Sequence, residues 1–288
     1  MPEMRVGISG WTYPGWRGVF YPEGLVHRRE LEYVSRKMNS VEINGSFYSL
    51  QKPGSYRKWY EETPPRFHFA VKGGRFITHM KKLREVEEPL ANFFASGVLR
   101  LGEKLGPILW QFPEQFGFYA DRFEAFLEML PKTTEEAAEL AKRHGPKLEE
   151  RAWTHADHPQ PLRHAFEVRS RGCFVPEFVQ LLRRHNAALV FADTAQKWPY
   201  AEDVTADFVY LRLHGAQYLY ASGYTDSELD WWAERIRAWS AGGEPPDAQR
   251  ITSDAPPGQE GRDVYVYFDN DAKVHAPFDA IRLVERLR

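Results

Sequence analysis

The sequence predicts one (β/α)8 barrel of the TIM type, spanning residues 1–288. Eight short segments with strand character follow one another along the chain, and segments with helical spacing or composition lie between them. An open doubly wound sheet is the alternative, but no glycine-rich dinucleotide-binding turn follows the first predicted strand. Hydrophobic residues make up 43% and charged residues 27% of the chain, which suffices for a globular core.

The predicted strands are short apolar segments. In order, they cover residues 5–11, 40–48, 67–74, 107–113, 164–170, 188–193, 208–215 and 264–271. The predicted helices cover residues 29–38, 89–106, 121–130, 175–186 and 227–243, and a last helix begins near Pro277. Gly106 and Gly242 stand where helix C-caps are expected.

Two polar segments, residues 131–163 and 244–262, interrupt this alternation. We interpret both as insertions into the barrel because strands continue in phase after each of them. The first contains one predicted helix followed by a loop, and the second is rich in proline and glycine. Four histidines in or directly after the first match no metal-ligand spacing, so a solvated loop is favoured over a metal site: His144, His155, His158 and His164.

Charge and composition narrow the class of protein. The 38 basic and 40 acidic residues give a net charge of −2, so nothing drives the whole molecule toward nucleic acid or anionic membranes. Cys173 is the one cysteine, which excludes an intramolecular disulfide and a cysteine zinc cluster. The sequence shows neither a secretory signal nor an apolar run of membrane-spanning length. We therefore expect a soluble cytoplasmic protein without a membrane partner, monomeric by default.

Strand alternation separates a helix-facing side from an axis-facing side. In HAFEVRS, residues 164–170, Phe166 and Val168 share the apolar side, and Glu167 and Arg169 share the other. The same parity gives a branched apolar helix-facing set elsewhere: Val41, Ile43, Phe69, Val71, Val209 and Leu211. The axis-facing side then presents Ser9, Trp11, Glu42, Asn44, Lys72, Gln111, Glu167, Arg169, Asp193, Arg212 and His214. The eighth strand offers either Asn270 or the pair Asp269 and Asp271.

Polar side chains at nearly every strand end indicate a binding pocket. Active sites of TIM barrels lie at the C-terminal mouth, where such residues gather. The alternative is a structural network of buried ion pairs, such as Glu167 with Arg212 or Glu42 with Lys72. Because each isolated charge loses several kcal/mol on desolvation, apolar residues would fill a barrel at lower cost, and the pocket is favoured.

Several motifs together resemble a known family. They include GISGWTYPGWRGVFYPEGL (7–25), VEINGSFYSL (41–50), TPPRFHFAVKGGRFITH (63–79), LGPILWQFP (105–113) and VYFDND (266–271). The combination, which spans essentially the whole chain, resembles the domain of unknown function 72 family, also called YecE-like. The resemblance implies a TIM-barrel fold and implies no particular activity.

The residue types of the predicted pocket suit anion recognition with acid/base chemistry. Lys72, Arg169 and Arg212 can clamp a phosphate or carboxylate, with arginine supplying a bidentate fork. Glu42 or Glu167 would serve as general acid or base, and His79 and His214 are candidate proton shuttles. A Schiff base on Lys72 is a minor alternative.

A metal site is the second chemical alternative. Glu42, Glu167, Asp193 and His214 could hold a single divalent ion, but three cations interleaved among them oppose it, so no metal is favoured and the cofactor stays open.

Aromatic residues follow the first two strands and converge on one rim. Trp11 and Tyr48 are the rings expected inside the pocket, where they would stack on a sugar or base.

Three functions remain. The favoured one is an enzyme acting on a small anionic or sugar-containing molecule. The others are a metal-dependent phosphodiesterase or nucleic-acid-binding protein, which the charge balance disfavours, and a non-catalytic ligand-binding barrel.

Overall fold

A closed barrel of parallel strands forms the centre of the computed structural model, which describes residues 2–288. Within these residues, eight strands are hydrogen-bonded in sequence order, and β8 closes the barrel on β1. The predicted (β/α)8 fold is therefore confirmed. The strands are β1 (Met4–Ser9), β2 (Ser40–Ile43), β3 (His68–Lys72), β4 (Leu105–Gln111), β5 (His164–Glu167), β6 (Ala188–Asp193), β7 (Phe208–Leu213) and β8 (Asp263–Phe268).

Helices follow seven of the eight strands in the described chain, with none between β6 and β7, and most of them cover the outside of the barrel. They are α1 (Glu30–Ser35), α2 (Gly45–Tyr48), α3 (Pro53–Glu61), α4 (Glu87–Ala95), α5 (Ala120–Met129), α6 (Thr134–Ala141), α7 (Pro176–Arg184), α8 (Asp226–Ser240) and α9 (His275–Leu287). The predicted helices at 121–130, 175–186 and 227–243 match α5, α7 and α8 within three residues. Gly242, with a φ of +86°, follows α8 as predicted and ends it in the left-handed conformation.

The structure corrects the prediction of one helix over residues 89–106. Helix α4 ends at Ala95, and a 3-10 segment follows over Val98–Lys104. Gly97 has a φ of +110° and Gly102 a φ of +52°, so each glycine breaks the helical path. Gly106 is not a helix cap but part of β4, where a Cβ would approach the Phe69 carbonyl oxygen to 3.1 Å.

Two short elements near the mouth were missed. The predicted strand over 40–48 ends at Ile43, and the chain turns into α2, whose Phe47 and Tyr48 therefore stand on the rim. After β3, residues Phe76–Met80 form a π-helical turn. Such turns are rare and occur often at functional sites, which draws attention to this end of the barrel.

Two separate apolar cores confirm the predicted strand parity except on β6, where Ala188 and Val190 face the axis and Asp193 therefore takes the helix-facing phase. The larger lies between strands and helices and contains the predicted helix-facing residues, such as Val41, Phe69 and Phe166. The smaller fills the barrel axis and includes Ala70, Leu109, Ala165, Val190, Tyr210, Tyr265 and Tyr267. Because residues of this parity point inward, polar side chains in the same phase at the strand ends reach the mouth.

The polar segments are tied to the barrel at several points. Helix α6 occupies the first, as predicted. His164, directly after that segment, begins β5, and its ring is buried between Trp110 and the Pro131 carbonyl oxygen. In the second, Asp203 accepts hydrogen bonds from the backbone of Ile251 and Thr252. No helix in residues 2–288 has the length and apolar character required to cross a bilayer.

Candidate functional site

A cavity of about 940 Å³ opens at the C-terminal ends of the strands; we call it the central cavity. Of the residues predicted for a site, six line it: Asn44, Tyr48, Lys72, His79, Gln111 and Arg169. The other lining residues are Tyr13, Phe47, Arg75, Met80, Tyr220, Asp269 and Asp271. Its volume lies in the range of small-molecule sites, and the position is where TIM barrels place their active sites.

Arg212 lies fully buried beneath this cavity and binds three carboxylates. Its Nη2 donates to Glu42 Oε1 at 2.8 Å and to Asp269 Oδ2 at 2.9 Å, and its Nη1 donates to Glu167 Oε2 at 2.7 Å. Its Nε donates to Glu42 Oε2 at 3.1 Å. Burial would lower the pKa of Arg212, but its carboxylate partners raise it well above the ordinary value. Arg212 is therefore a permanent charge that anchors the floor.

The predicted catalytic carboxylates Glu42 and Glu167 belong to this anchor. Glu42 also accepts hydrogen bonds from Ser9 Oγ at 2.9 Å and from Tyr210 Oη at 2.6 Å. Burial would raise the pKa of Glu167, yet the guanidinium of Arg212 and the other nearby cations hold it well below the usual range. A carboxylate in that state is a poor proton carrier near neutral pH. The anticipated ion pair of Glu167 with Arg212 is present, whereas Glu42 pairs with Arg212 rather than with Lys72.

The chain directly after β8 contributes Asp269 and Asp271, which resolves the alternative that the sequence left open. Tyr265 and Tyr267 point inward, so Asp269 and Asp271 continue that phase into the cavity. Asn270 points the other way, and its Nδ2 donates to Asp279 Oδ2 at 2.9 Å. Burial, followed by repulsion from Asp269, raises the pKa of Asp271 to about 6. Asp271 is thus the cavity carboxyl whose titration lies closest to neutrality.

Lys72, at the end of β3, is a buried cation on the cavity wall, with 8% of its surface exposed. Within residues 2–288, no carboxylate oxygen lies within 4.0 Å of its Nζ. That atom instead lies 4.5 Å from the centre of the Phe47 ring. Burial, and then repulsion by Arg212, lowers the pKa of Lys72 to about 8. At pH 7 Lys72 is therefore mainly charged. In the described chain, its ammonium group has none of the close carboxylate partners that neutralise Arg212.

His79 lies in the π-helical turn and faces the same space. Its Nδ1 lies 2.9 Å from Thr78 Oγ1, and its ring meets Phe47 edge-on, with 5.1 Å between centroids. Burial, and then the charge of Lys72, lowers the pKa of His79 to about 4. His79 is consequently neutral at pH 7, which suits hydrogen bonding better than the proton transfer that was predicted for it.

Arg169 and Gln111 are held by one carboxylate oxygen. Arg169 Nε and Gln111 Nε2 both donate to Glu167 Oε1 at 2.9 Å. The guanidinium of Arg169 also stacks on the Trp198 ring, 3.8 Å from its centroid, and its side chain is 16% exposed. This packing fixes Arg169 while leaving part of it open to the cavity.

Contrary to the prediction, neither Asp193 nor His214 lines the central cavity. Asp193 accepts a hydrogen bond from Tyr224 Oη at 2.8 Å and lines a different cavity. The Nδ1 atom of His214 lies 3.1 Å from Asp269 Oδ2 but off the hydrogen-bonding direction, and the ring is fully buried. In the described part of the chain, no three His, Cys, Asp or Glu side chains are arranged to hold a metal ion.

Trp11 also falls outside the central cavity. It packs edge-on against Trp59, with 5.4 Å between ring centroids, and lines a smaller neighbouring cavity. Tyr48, the other predicted ring, stands on the rim with 66% of its surface exposed, and the Arg75 guanidinium lies 5.7 Å from its centroid.

Sequence reasoning missed Arg75, Met80 and Tyr220 as lining residues, and it placed Tyr13 and Phe47 on the rim without assigning them to the pocket. All five come from segments that follow strands, where no alternation identifies the inward side. The one available signal was position, since Arg75 and Met80 flank the predicted His79 in RFITHM.

Comparison with known proteins identifies relatives of the chain. The sequence model of the family described as "Protein of unknown function DUF72" matches residues 5–288. The UPF0759 protein YecE of Escherichia coli (strain K12) is 30% identical over 112 residues, which cover 39% of this chain and 38% of that protein. The UPF0759 protein YunF of Bacillus subtilis (strain 168) is 31% identical over 116 residues, covering 38% and 40%. These alignments span less than half of either relative.

Solved structures show the same fold. A DUF72 family protein from Thermotoga maritima MSB8 superposes with a TM-score of 0.72 at 24% identity, covering 99% of both chains. One from Enterococcus faecalis V583 superposes with a TM-score of 0.69 at 17% identity, covering 99% of this chain and 95% of that one. At these identities the likeness establishes the architecture alone.

Proposed function

Since this chain belongs to the DUF72 family, a family defined without reference to an activity, we propose its function from the geometry of the central cavity. The protein is an enzyme that binds a small organic molecule bearing a phosphate or carboxylate group and moves a proton to or from it. The observation that carries the proposal is Lys72, a buried ammonium group that opens onto a cavity and lacks a carboxylate partner within residues 2–288.

Anion binding follows from the treatment of neighbouring charges. Arg212 has three carboxylate partners and Arg169 has one, so carboxylates neutralise both of these arginines, which lie near Lys72. A buried charge without a partner is costly, and a bound anion supplies the missing partner. Arg169 and Arg75 line the same cavity, so an anion near Lys72 meets further positive charge.

Proton transfer follows from two groups whose pKa values lie on either side of pH 7. With a pKa of about 6, Asp271 is mainly ionised at pH 7 and can accept a proton. With a pKa of about 8, Lys72 is mainly protonated and can donate one. A base and an acid poised close to the working pH are the requirement for general acid/base catalysis. These two residues replace Glu42 and Glu167 in the role that the sequence first suggested.

The binding step is tested with Lys72→Met and a matched control, Lys104→Met. Both lysines are buried, but Lys104 Nζ donates to Tyr60 O at 2.6 Å and to Thr63 O at 2.7 Å. Titration calorimetry with inorganic phosphate and a panel of small phosphate esters and carboxylates gives the affinities, and thermal unfolding at pH 7 gives the stabilities. We expect Lys72→Met to weaken anion binding at least about tenfold, the loss of one charged hydrogen bond, and to raise the unfolding temperature. Lys104→Met should lower that temperature and leave binding unchanged. Equal binding by wild type and Lys72→Met would remove the basis of the proposal.

The catalytic step is tested with the anions that bind. Each is incubated with the protein in D2O and followed by NMR for loss of carbon-bound protons or conversion. Exchange or conversion that weakens below about pH 6 and above about pH 8 supports Asp271 and Lys72 as base and acid. If a ligand binds and is recovered unchanged, with all its protons, the protein is a non-catalytic ligand-binding barrel and the proposed enzymatic function is wrong.

A further inference from the structure

A second cavity, of about 580 Å³, lies beside the barrel mouth; we call it the side cavity. Its walls are formed by helix α8 and by the segment that follows β6. Five aromatic side chains line it: Trp198, Tyr200, Tyr224, Trp231 and Trp232. Within residues 2–288, it shares no lining residue with the central cavity, although Trp198 carries Arg169 of that cavity on its ring.

The polar groups of the side cavity offer hydrogen bonds without positive charge. Gln196, Gln249 and Ser227 supply neutral donors and acceptors, and Asp193 and Glu228 supply carboxylates. Among the described residues, its lining contains no lysine or arginine, so an anion has no counter-charge there. The ligand chemistry therefore differs from that of the central cavity.

The aromatic rings disfavour a cationic ligand. Trp231 already carries the Arg235 guanidinium at 3.8 Å from its centroid, and Trp198 carries that of Arg169 at 3.8 Å. The guanidinium covers one face of each ring, so that face is not available to an organic cation. Trp231 and Trp232 meet at 80° with 4.8 Å between centroids, so their rings form a corner rather than one flat platform.

We propose that the side cavity binds a neutral carbohydrate, as one sugar ring or a short oligosaccharide. The C–H groups on the face of a sugar ring pack on the electron-rich face of an indole, and its hydroxyls bond to planar carboxylates and amides. Trp231, with 39% of its surface exposed, is accessible for such packing, and Gln249, also exposed, lines the same space. Asp193, held by Tyr224, offers a fixed acceptor within the cavity. This site does not depend on the function proposed for Lys72.

The test uses saturation-transfer NMR and calorimetry with methyl β-D-glucopyranoside, methyl α-D-mannopyranoside and cellobiose at up to about 10 mM, which detects millimolar dissociation constants. Choline is the cationic probe. Wild type and Lys72→Met should bind at least one sugar equally well, and neither should bind choline. Trp231→Ala should weaken sugar binding at least tenfold, about 1.4 kcal/mol. A second variant, Gln249→Ala, should also weaken sugar binding. This variant should keep the wild-type fold, because the hydrogen bond to Glu202 is donated by the Gln249 backbone.

Trp153→Ala is the matched control. Trp153 also carries an arginine, with Arg100 at 3.9 Å from its centroid, but it lies outside both cavities. Sugar binding should be the same in this variant as in wild type. The proposal is overturned if no probe sugar binds, if choline binds instead, or if Trp231→Ala and Gln249→Ala bind sugar as wild type does.

Discussion

At the scale of single residues, Arg212 explains how one barrel can enclose so much charge. Its guanidinium has donors enough to serve Glu42, Glu167 and Asp269 together, and the planar fork fixes where each carboxylate stands. Glu167 in turn positions Arg169 and Gln111 at the cavity. The buried network and the pocket are therefore not alternatives, because the network forms the floor that holds the pocket's side chains.

Removing Arg212 should be severely destabilising. Arg212→Met removes the charge that Glu42, Glu167 and Asp269 share and leaves Arg169 as a partner of Glu167 alone, so we expect a loss of about 3–5 kcal/mol in the free energy of unfolding at pH 7. The loss should shrink in acid, because protonated carboxyls no longer repel one another. Urea unfolding at pH 7 and pH 4.5 measures both effects. Arg66→Met is the control, since that side chain is 87% exposed, and it should change stability by at most about 0.5 kcal/mol. A stable Arg212→Met protein would contradict the account of the floor.

Strand alternation in the sequence was enough to identify Lys72, Gln111 and Arg169 as cavity residues. It could not choose between Asn270 and its neighbours, because both faces of β8 are apolar, with Val266 on one and Tyr267 on the other. Nor could it show that Arg212 is fully engaged by carboxylates. That state depends on distances across the barrel between strands far apart in the chain, which a one-dimensional pattern does not contain.

At the scale of elements, the close approach of β1 to β2 depends on a glycine. Gly7 pairs with Ser40, and a Cβ added to Gly7 would lie 2.0 Å from the Ser40 carbonyl oxygen. Backbone of a neighbouring strand cannot move aside as a flexible side chain can. Gly7→Ala should therefore destabilise the protein by about 3 kcal/mol, the upper part of the range for overpacking.

The matched control for Gly7→Ala is Gly54→Ala. Gly54 lies in α3, and a Cβ there meets no atom within 4 Å. Alanine lowers the entropy of the unfolded chain and favours helix, so this variant should gain about 0.5–1 kcal/mol. Chemical denaturation of both variants at pH 7 gives the comparison. The same sign of change in the two would show that steric contact at Gly7 is not the cause.

The order of strands and the long helices were predictable because their periodicities extend over many residues. The elements around the mouth were not. Helix α2 and the π-helical turn are four and five residues long, too short to show a period. The prediction of a single helix over 89–106 was wrong because Gly97 and Gly102 adopt positive φ angles, which depend on packing against other elements.

At the scale of the whole molecule, the buried histidine of β5 couples stability to pH. His164 is fixed as a neutral ring, since its Nδ1 accepts from Trp110 Nε1 at 3.2 Å and its Nε2 donates to the Pro131 carbonyl oxygen at 2.8 Å. A second ring proton would point at the Trp110 donor. Burial lowers the pKa of His164 to about 4, against 6.5 for an ordinary histidine.

The sign of this coupling follows from which state binds the proton. Below pH 6.5 the unfolded chain protonates His164 while the folded protein does not, so the unfolded state gains stability. The contribution of His164 is complete above pH 6.5 and is lost as the pH falls toward 4, by about 3 kcal/mol. Asp271, whose pKa is raised, acts in the opposite direction over part of the range, so the wild-type curve alone does not isolate His164.

The contribution of His164 is isolated by comparing how steeply the free energy of unfolding changes with pH in wild type and in a His164 variant. His164→Gln should be less stable than wild type at pH 7, because one of its two hydrogen bonds is lost. Its free energy of unfolding should nevertheless fall less steeply between pH 6.5 and pH 4.5. The difference in slope should approach the uptake of one proton, about 1.4 kcal/mol per pH unit. His155→Gln, at an exposed position, should keep the wild-type slope. Urea unfolding at steps of about half a pH unit gives the slopes. If His164→Gln and wild type lose stability in parallel, the acid sensitivity of the barrel arises elsewhere, and the neutral ring of His164 is not its source.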